Sequence, residues 1–226
     1  MANNVKLTTD LSIIVQLITG IIGLQGLFIK LPEKHQILKS VLTLEMIVQC
    51  IEFFVYIYFL RIMATTDIHK MAKIRYFDWF ISTPVMLLTT SIFYKYEEYI
   101  ENDIEKKLEF WDFLKSHKEN IITIFVCNFL MLFFGYLGEI GVINMVYSLI
   151  LGFIFFGMTF YTIYKNYAIH SKNAMKLFYF IFTTWGMYGI AALMPLHIKN
   201  NMFNILDIFA KNFLGLYLYY RINNVS

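Results

Sequence analysis

Seven long apolar segments, separated by short polar connections, dominate this chain. The segments are continuous apolar runs, without the alternation of apolar and polar positions that membrane-spanning strands require, so the pattern predicts helices. Each run is long enough for a helix to cross the hydrocarbon core of a bilayer. The predicted spans cover approximately residues 8–29, 39–60, 70–94, 120–137, 141–164, 174–194 and 201–220.

Composition supports a membrane protein and excludes a soluble globule. The 226 residues are 58% hydrophobic and only 15% charged. We therefore predict an all-α membrane protein, a seven-transmembrane-helix bundle formed as a single domain over residues 1–226. The start of the chain lacks a small-residue cleavage site, so the first span is expected to stay in the membrane. Cys50 and Cys127 lie in apolar spans and are expected to be core residues without a disulfide.

Lysine and arginine are distributed unequally between the two sides of the predicted bundle. The first, third and fifth connections and the C-terminus hold most of them. Because positive residues remain on the cytoplasmic side, this predicts an N-terminus outside and a C-terminus in the cytoplasm.

The long third connection carries apolar residues at helical spacing, at Ile104, Leu108, Trp111 and Leu114. This favours a cytoplasmic amphipathic helix around residues 103–116 that lies on the membrane surface. A charged, solvated loop is the alternative.

The last apolar segment carries Asp207 and Lys211 near its middle. About 15 Å of helix separates Lys211 from Arg221, so Lys211 is expected near the bilayer midplane. A charge there costs at least about 2.5–3.5 kcal/mol, which favours a functional group. A lysine in a dry site can form a Schiff base with an aldehyde. The alternative is a structural ion pair with Asp207, which is four residues away on the same helix face.

The second span contains two carboxylates, Glu45 and Glu52, seven residues apart. Two helical turns separate them, so they share a face about 10 Å apart along the axis. Because a carboxylate facing lipid is costly, both are expected to face the bundle interior, where they would attract cations. Structural, protonated glutamates are the alternative. Ser12 in the first span would extend this polar face.

The third span also has a polar face. Arg75, Asp78 and Ser82 follow one another at three- and four-residue steps, and Thr89 lies seven residues beyond Ser82. Asp78 would supply an anion for a cationic Lys211.

The segments R-Y-F-D-W-F-I-S-T-P in the third span and D-I-F-A-K in the seventh resemble the microbial (type 1) rhodopsins. The resemblance covers all seven spans and implies all-trans retinal bound as a protonated Schiff base on Lys211. It implies that Asp78 is the main counterion and Asp207 the second, with Arg75 balancing the second negative charge. The pocket positions that it implies are Trp79, Thr83, Met86, Met131, Gly135, Trp185 and Tyr188.

One residue departs from the proton pumps of this family, because Thr89 stands where they usually carry a carboxylate. A threonine cannot supply an acidic proton, which weighs against pumping.

The chain is similar to the short group-1 rhodopsins of giant algal viruses, which behave as light-gated cation channels. This resemblance implies a membrane of the infected host cell. It also implies an ion path and gates formed by Ser12, Glu45, Glu52, Arg75, Ser82, Thr89, Lys199 and Asn204. Lys199 would repel cations unless an acid or carbonyl groups hold it aside.

The function predicted is therefore a light-gated cation channel. A light-driven outward proton pump and a photosensory rhodopsin that signals through a partner are the alternatives.

Neither Glu45 nor Glu52 is expected to be the counterion, so their neutralisation should change current more than colour. No nucleophile triad or phosphate loop indicates an enzyme. The expected partners are the bilayer and monovalent cations or protons, with a homo-oligomer as an option; the net charge of +3 does not indicate nucleic acid.

Overall fold

The computed structural model describes residues 2–64 and 68–226, and these are almost wholly helical, without a strand. Residues 1 and 65–67 of the predicted domain lie outside the described residues. The helices are α1 (Ala2–Phe28), α2 (Ile37–Ala64), α3 (His69–Glu101), α4 (Phe110–Ser116), α5 (Lys118–Glu139), α6 (Met145–Asn166), α7 (Lys172–Ala192), α8 (Leu196–Asp207) and α9 (Phe213–Val225). A π-helical turn, Ile208–Asn212, connects α8 directly to α9.

These helices form a closed bundle. α1 packs against α2, α2 against α3, α3 against α5, and α5 against α6. α6 contacts α7, α7 contacts α8, and the combined α8–α9 helix returns to α1 and α2. With α8 and α9 as one interrupted helix, the predicted seven-helix membrane bundle is confirmed.

The outer surface of the bundle is apolar. Large apolar side chains such as Ile14, Phe54, Ile81, Phe129 and Ile150 are more than half exposed. By length and composition, α1, α2, α5 and α6 qualify on their own as membrane-crossing helices. Polar residues of α3 and α8, such as Arg75, Asp78 and Asp207, are buried in the interior of the bundle. This inverts the arrangement of a water-soluble protein, as a lipid environment requires.

α3 runs unbroken through Pro84, which is expected to disturb a helix because it lacks a backbone donor. Buried polar residues recur along its length, including Arg75, Asp78, Ser82 and Thr89. The helix therefore presents a polar face to the bundle interior at several depths.

The connection between α3 and α5 is less helical than predicted. The helix begins at Phe110 and ends at Ser116, so residues 103–109 of the predicted amphipathic helix are not helical. Within it Phe113 is buried and Trp111 is exposed. The ring centre of Phe113 lies 4.5 Å from that of His117 and 5.7 Å from that of Tyr167, so contacts with these two rings bury this side of the helix.

Candidate functional site

Lys211 lies in the bundle interior beside two carboxylates. Its Nζ is 2.6 Å from Oδ2 of Asp78 on α3 and 4.0 Å from Oε1 of Glu52 on α2. All three side chains are at most 2% exposed. Attraction between charges in such a place is weakly screened, so both carboxylates act on any positive charge at the Lys211 nitrogen.

Lys211 thus pairs with Asp78, the main counterion that the resemblance implies, and not with Asp207, the ion-pair partner of the alternative interpretation. The reason is local: Lys211 belongs to the π-helical turn that follows α8. A π turn takes up more residues than an α turn, so the two side chains point in different directions from those of a regular helix. Turns of this kind are frequent at functional sites.

Asp207 instead forms the centre of a separate hydrogen-bonded cluster. Arg75 donates through Nη1 to Oδ2 at 2.7 Å, and the hydroxyl of Tyr56 donates to the same oxygen at 2.7 Å. The Tyr188 hydroxyl donates to Oδ1, also at 2.7 Å. The Asp207 charge is therefore satisfied by one cation and two hydroxyls, as a buried carboxylate requires.

Arg75 extends this cluster towards α1. Its Nη2 donates to the side-chain oxygen of Asn204, and its guanidinium lies 4.6 Å from the centre of the Phe59 ring. The Asn204 side chain donates to Thr8 and Thr9, and Ser12 donates to the Asn204 backbone oxygen at 3.0 Å. The structure thus brings together three predicted gate residues in one seal between α1, α3 and α8.

An apolar cavity lined in part by Lys211 contains about 800 Å³ of space free of protein atoms, part of it open to the surroundings. Lys211 is the charged member of the described lining. The other lining residues named from the sequence are Trp79, Thr83, Met86, Met131, Gly135, Trp185 and Tyr188.

Close contacts define the shape of this cavity. A Cβ atom on Gly135 would lie 3.0 Å from the Tyr76 ring, and one on Gly189 would lie 2.4 Å from the Phe153 ring. Larger residues at either position would displace an aromatic wall. Thr83 is held by the Asn128 side chain, which donates to its hydroxyl at 2.8 Å.

A third polar contact lies further along α2 and α3. The hydroxyl of Thr89 donates to Oε1 of Glu45. Glu45 on α2 thus places a carboxyl group beside Thr89, at the depth where Thr89 itself cannot supply an acidic proton. Ser82 plays no comparable part, because its hydroxyl donates to the backbone oxygen of Asp78 within α3.

Lys199 lies apart from the other predicted gate residues. Its Nζ donates to both carboxylate oxygens of Glu139 on α5, each at 2.8 Å. The expectation that an acid holds Lys199 aside therefore agrees with its contacts, and the pair joins α8 to the end of α5.

A family model for bacteriorhodopsin-like proteins matches residues 7–225. The chain is a microbial rhodopsin. Its structure is similar to that of the viral rhodopsin OLPVRII, with a TM-score of 0.82, 26% sequence identity, and coverage of 98% of this chain and 99% of that one. A search of curated proteins by sequence finds no match.

Two further solved structures share the fold at lower identity. The blue light-absorbing proteorhodopsin from Med12 is 18% identical, with a TM-score of 0.74 and 97% of each chain covered. Xanthorhodopsin, a light-driven ion pump with a dual chromophore, is 15% identical, with a TM-score of 0.72 and coverage of 99% of this chain and 93% of that one.

Microbial rhodopsins bind retinal, and the cavity of this rhodopsin fits that group. A mainly apolar and aromatic space suits a polyene, and Lys211 in its lining carries the amine that an aldehyde needs. The ammonium of Lys211 in this structure stands for the positively charged nitrogen of the retinal-bound protein. Trp185 and Tyr188 on α7 line the same cavity as Trp79 and Met86 on α3, and the rings of Trp79 and Tyr188 are in contact, with centres 5.3 Å apart.

Sequence reasoning missed several buried polar residues of this interior. They are Gln16, Thr19, Gln49, Tyr56, Asn128 and Asn212. A signal was present for some of them. Gln16 and Thr19 follow Ser12 at four- and seven-residue steps, and Gln49 lies on the face that carries Glu45 and Glu52.

Met86 provides a test of the cavity assignment. It lines the cavity with an apolar side chain that is 2% exposed. A polar amide here would stabilise the ground-state charge of the chromophore near Lys211 and so raise the excitation energy. We expect Met86→Gln to move the absorption band to shorter wavelength, while Met46→Gln, outside the cavity, leaves the band in place. An unchanged band in Met86→Gln would contradict the assigned register of α3.

Proposed function

We propose that this rhodopsin is a light-gated cation channel whose path follows the polar face of α2. The observation that carries the proposal is a row of buried α2 oxygens that accept no hydrogen bond from residues 2–64 and 68–226. These oxygens are Oε2 of Glu45, Oε1 of Gln49 and both carboxylate oxygens of Glu52. Lipid cannot provide hydrogen bonds to them, whereas water and cations inside the bundle can contact them.

Three contacts between helices would close this path in the dark. Arg75 and Asn204 seal one end, the Asp78–Lys211 pair lies at mid-depth, and Thr89 with Glu45 seals the other end. Each contact joins residues from different helices. A small relative movement of α2, α3 and the α8–α9 helix would therefore separate the partners and let cations reach the carboxylates.

Lys211 connects the chromophore to this path. Retinal, when bound, absorbs light and changes shape. The nitrogen of Lys211 is close to Asp78 and Glu52, so a displacement of its charge changes the electrostatic field at mid-depth. The hydrogen bond from Tyr188 to Asp207 provides a second route from the cavity wall to the Arg75 seal.

The distribution of lysine and arginine supports an outside N-terminus, with the Arg75 seal towards the outside and Glu45 towards the cytoplasm. The same proposal includes the all-trans isomer of retinal and, from the viral resemblance, a membrane of the infected host cell.

A light-driven outward proton pump is the second candidate, and one observation favours it. The Glu45 carboxyl beside Thr89 could store a proton on the cytoplasmic side of Lys211, where Thr89 itself cannot. Asp78, 2.6 Å from the Lys211 nitrogen, would accept the proton released towards the outside.

Voltage-clamp recording under light distinguishes the two functions. We expect the current to reverse sign with membrane potential and with the cation gradient, which a channel requires. An outward proton current of constant direction at all potentials would establish the pump in its place.

Neutralising the α2 carboxylates tests the path itself. We expect Glu45→Gln and Glu52→Gln to lower the cation current roughly tenfold, because a contact to a charged group is worth about 1.5 kcal/mol or more. Glu98→Gln, on the end of α3, is the matched control and should conduct normally. Wild-type currents in both test variants at equal expression would exclude the α2 path.

The contact between Glu52 and Lys211 changes the colour expected of Glu52→Gln. Glu52 lies 4.0 Å from the Lys211 nitrogen, so it contributes to the charge balance of the chromophore. We therefore expect a shift to longer wavelength in Glu52→Gln as well as reduced current, whereas Glu45→Gln should change the current alone.

A further inference from the structure

A layer of neutral polar side chains lies between the two α2 glutamates. Gln49 is four residues after Glu45 and three before Glu52, and so lies on the same helix face. Its Nε2 donates to the side-chain oxygen of Asn212 at 3.1 Å and to the hydroxyl of Thr19 at 3.2 Å. Thr19 also donates to the Asn212 oxygen, at 2.7 Å. One node thus joins α1, α2 and the π-helical turn.

We name Thr19, Gln49 and Asn212 the amide layer, together with Gln16, which is three residues before Thr19 and so on the same face of α1. Each of these residues is at most 5% exposed. Yet four of their polar atoms lack a hydrogen-bond partner among the residues that the structure describes: both side-chain atoms of Gln16, Oε1 of Gln49 and Nδ2 of Asn212. Burying such atoms without a partner costs about 1–3 kcal/mol each. The amide layer is therefore incomplete without a polar occupant.

The chemistry of the layer suits a cation of low charge. Amide oxygens are hard, neutral ligands that replace part of a cation's water shell but bind weakly enough to release it. Glu45 and Glu52 are about 10 Å apart along α2, so an ion between them meets one carboxylate at a time. Tight divalent sites usually gather several carboxylates around one ion, and this layer does not.

We propose that the amide layer is a binding site for a partly dehydrated monovalent cation, and that its amide oxygens determine which monovalent cations pass. This rests on the proposed channel function. The oxygen of Asn212 is already occupied by two donors, so Gln49 and Gln16 supply the oxygens for the cation. Asn212 and Thr19 hold Gln49 in position through hydrogen bonds. Asn212 also follows Lys211 directly in the chain, so the site is next to the residue that would move with the chromophore.

The test compares Gln49→Met with wild type in light-evoked currents with sodium and potassium on opposite sides of the membrane. Methionine keeps the length of the side chain and removes the amide. We expect the sodium-to-potassium permeability ratio to change about threefold or more, as loss of one neutral polar contact implies. Cys50→Met, at the next position of α2, is the control and should keep the wild-type ratio, because Cys50 is exposed and is not the core residue expected from the sequence. Gln16→Met gives the same test should Gln49→Met fail to fold.

A second measurement separates this proposal from the channel proposal. In illuminated membranes, exchange of sodium for potassium should shift a side-chain amide carbonyl band in the infrared spectrum, and Gln49→Met should reduce that shift. If recordings show proton pumping without channel current, the channel proposal is excluded. The infrared shift would still report cation binding at the amide layer. A conducting protein whose permeability ratio and infrared bands are the same in wild type, Gln49→Met and Gln16→Met would overturn the amide-layer site.

Discussion

Replacing Lys211 with alanine should give a protein that remains colourless when retinal is added. Lys211 is the charged residue among the described residues that line the apolar cavity. Without the amine no covalent link to an aldehyde forms, so we expect complete loss of the visible band. Absorption spectra of the purified protein after incubation with retinal provide the measurement.

Two controls make the result specific to Lys211. Lys199→Ala removes another largely buried lysine, which is paired with Glu139 outside the cavity, and it should form a normal pigment. Circular dichroism of Lys211→Ala should show the wild-type helix content, so that absence of colour is not absence of fold. A normal visible band in Lys211→Ala would show that retinal is attached elsewhere.

The second large effect, a shift of the absorption band, is expected on replacement of Asp78. Its Oδ2 is 2.6 Å from the Lys211 nitrogen, closer than the 4.0 Å of Glu52. A carboxylate at that distance stabilises positive charge at the nitrogen in the ground state, and its removal lowers the excitation energy. Asp78→Asn should therefore absorb at longer wavelength, and acid that protonates Asp78 in the wild type should produce the same shift.

Asp78→Asn should also weaken the protein itself. Removing one partner of a buried ion pair costs about 3–5 kcal/mol, although Glu52 would compensate for part of this. Thermal unfolding followed by loss of the visible band would measure the change.

Asp207→Asn serves as the comparison, because Asp207 is held by Arg75, Tyr56 and Tyr188 rather than by Lys211. We expect a smaller colour shift in this variant. A larger shift in Asp207→Asn than in Asp78→Asn would reverse the order of the two counterions.

The fold was largely predictable from the sequence, because a bilayer imposes a simple rule. Backbone groups in lipid must be satisfied within the segment, so a long apolar run is a helix. The seven predicted spans accordingly match the observed helices, with ends displaced by up to seven residues. The α3–α5 connection was harder to predict, because it lies outside the hydrocarbon and its helix depends on contacts such as that of Phe113 with Tyr167.

The chemistry of single helix faces was also visible in the sequence. Glu45, Glu52, Asp78 and Lys211 are costly in lipid, so each was expected in the interior, and each is at most 3% exposed. Helical periodicity determines which residues of one helix share a face, but it contains no information on the rotation or depth of that helix relative to its neighbours.

Those relative positions belong to the tertiary structure, and they decided the partners. The packing of α2 against α3 placed Glu45 beside Thr89, and the π-helical turn directed Lys211 to Asp78 and Glu52 rather than to Asp207. Gln49 became part of a polar layer only because α1 and the π-helical turn brought Thr19 and Asn212 to it. The sequence alone therefore determined a helical membrane bundle with charged groups inside. Packing between helices decided which charged groups form pairs, because those pairs join residues that are distant in the chain.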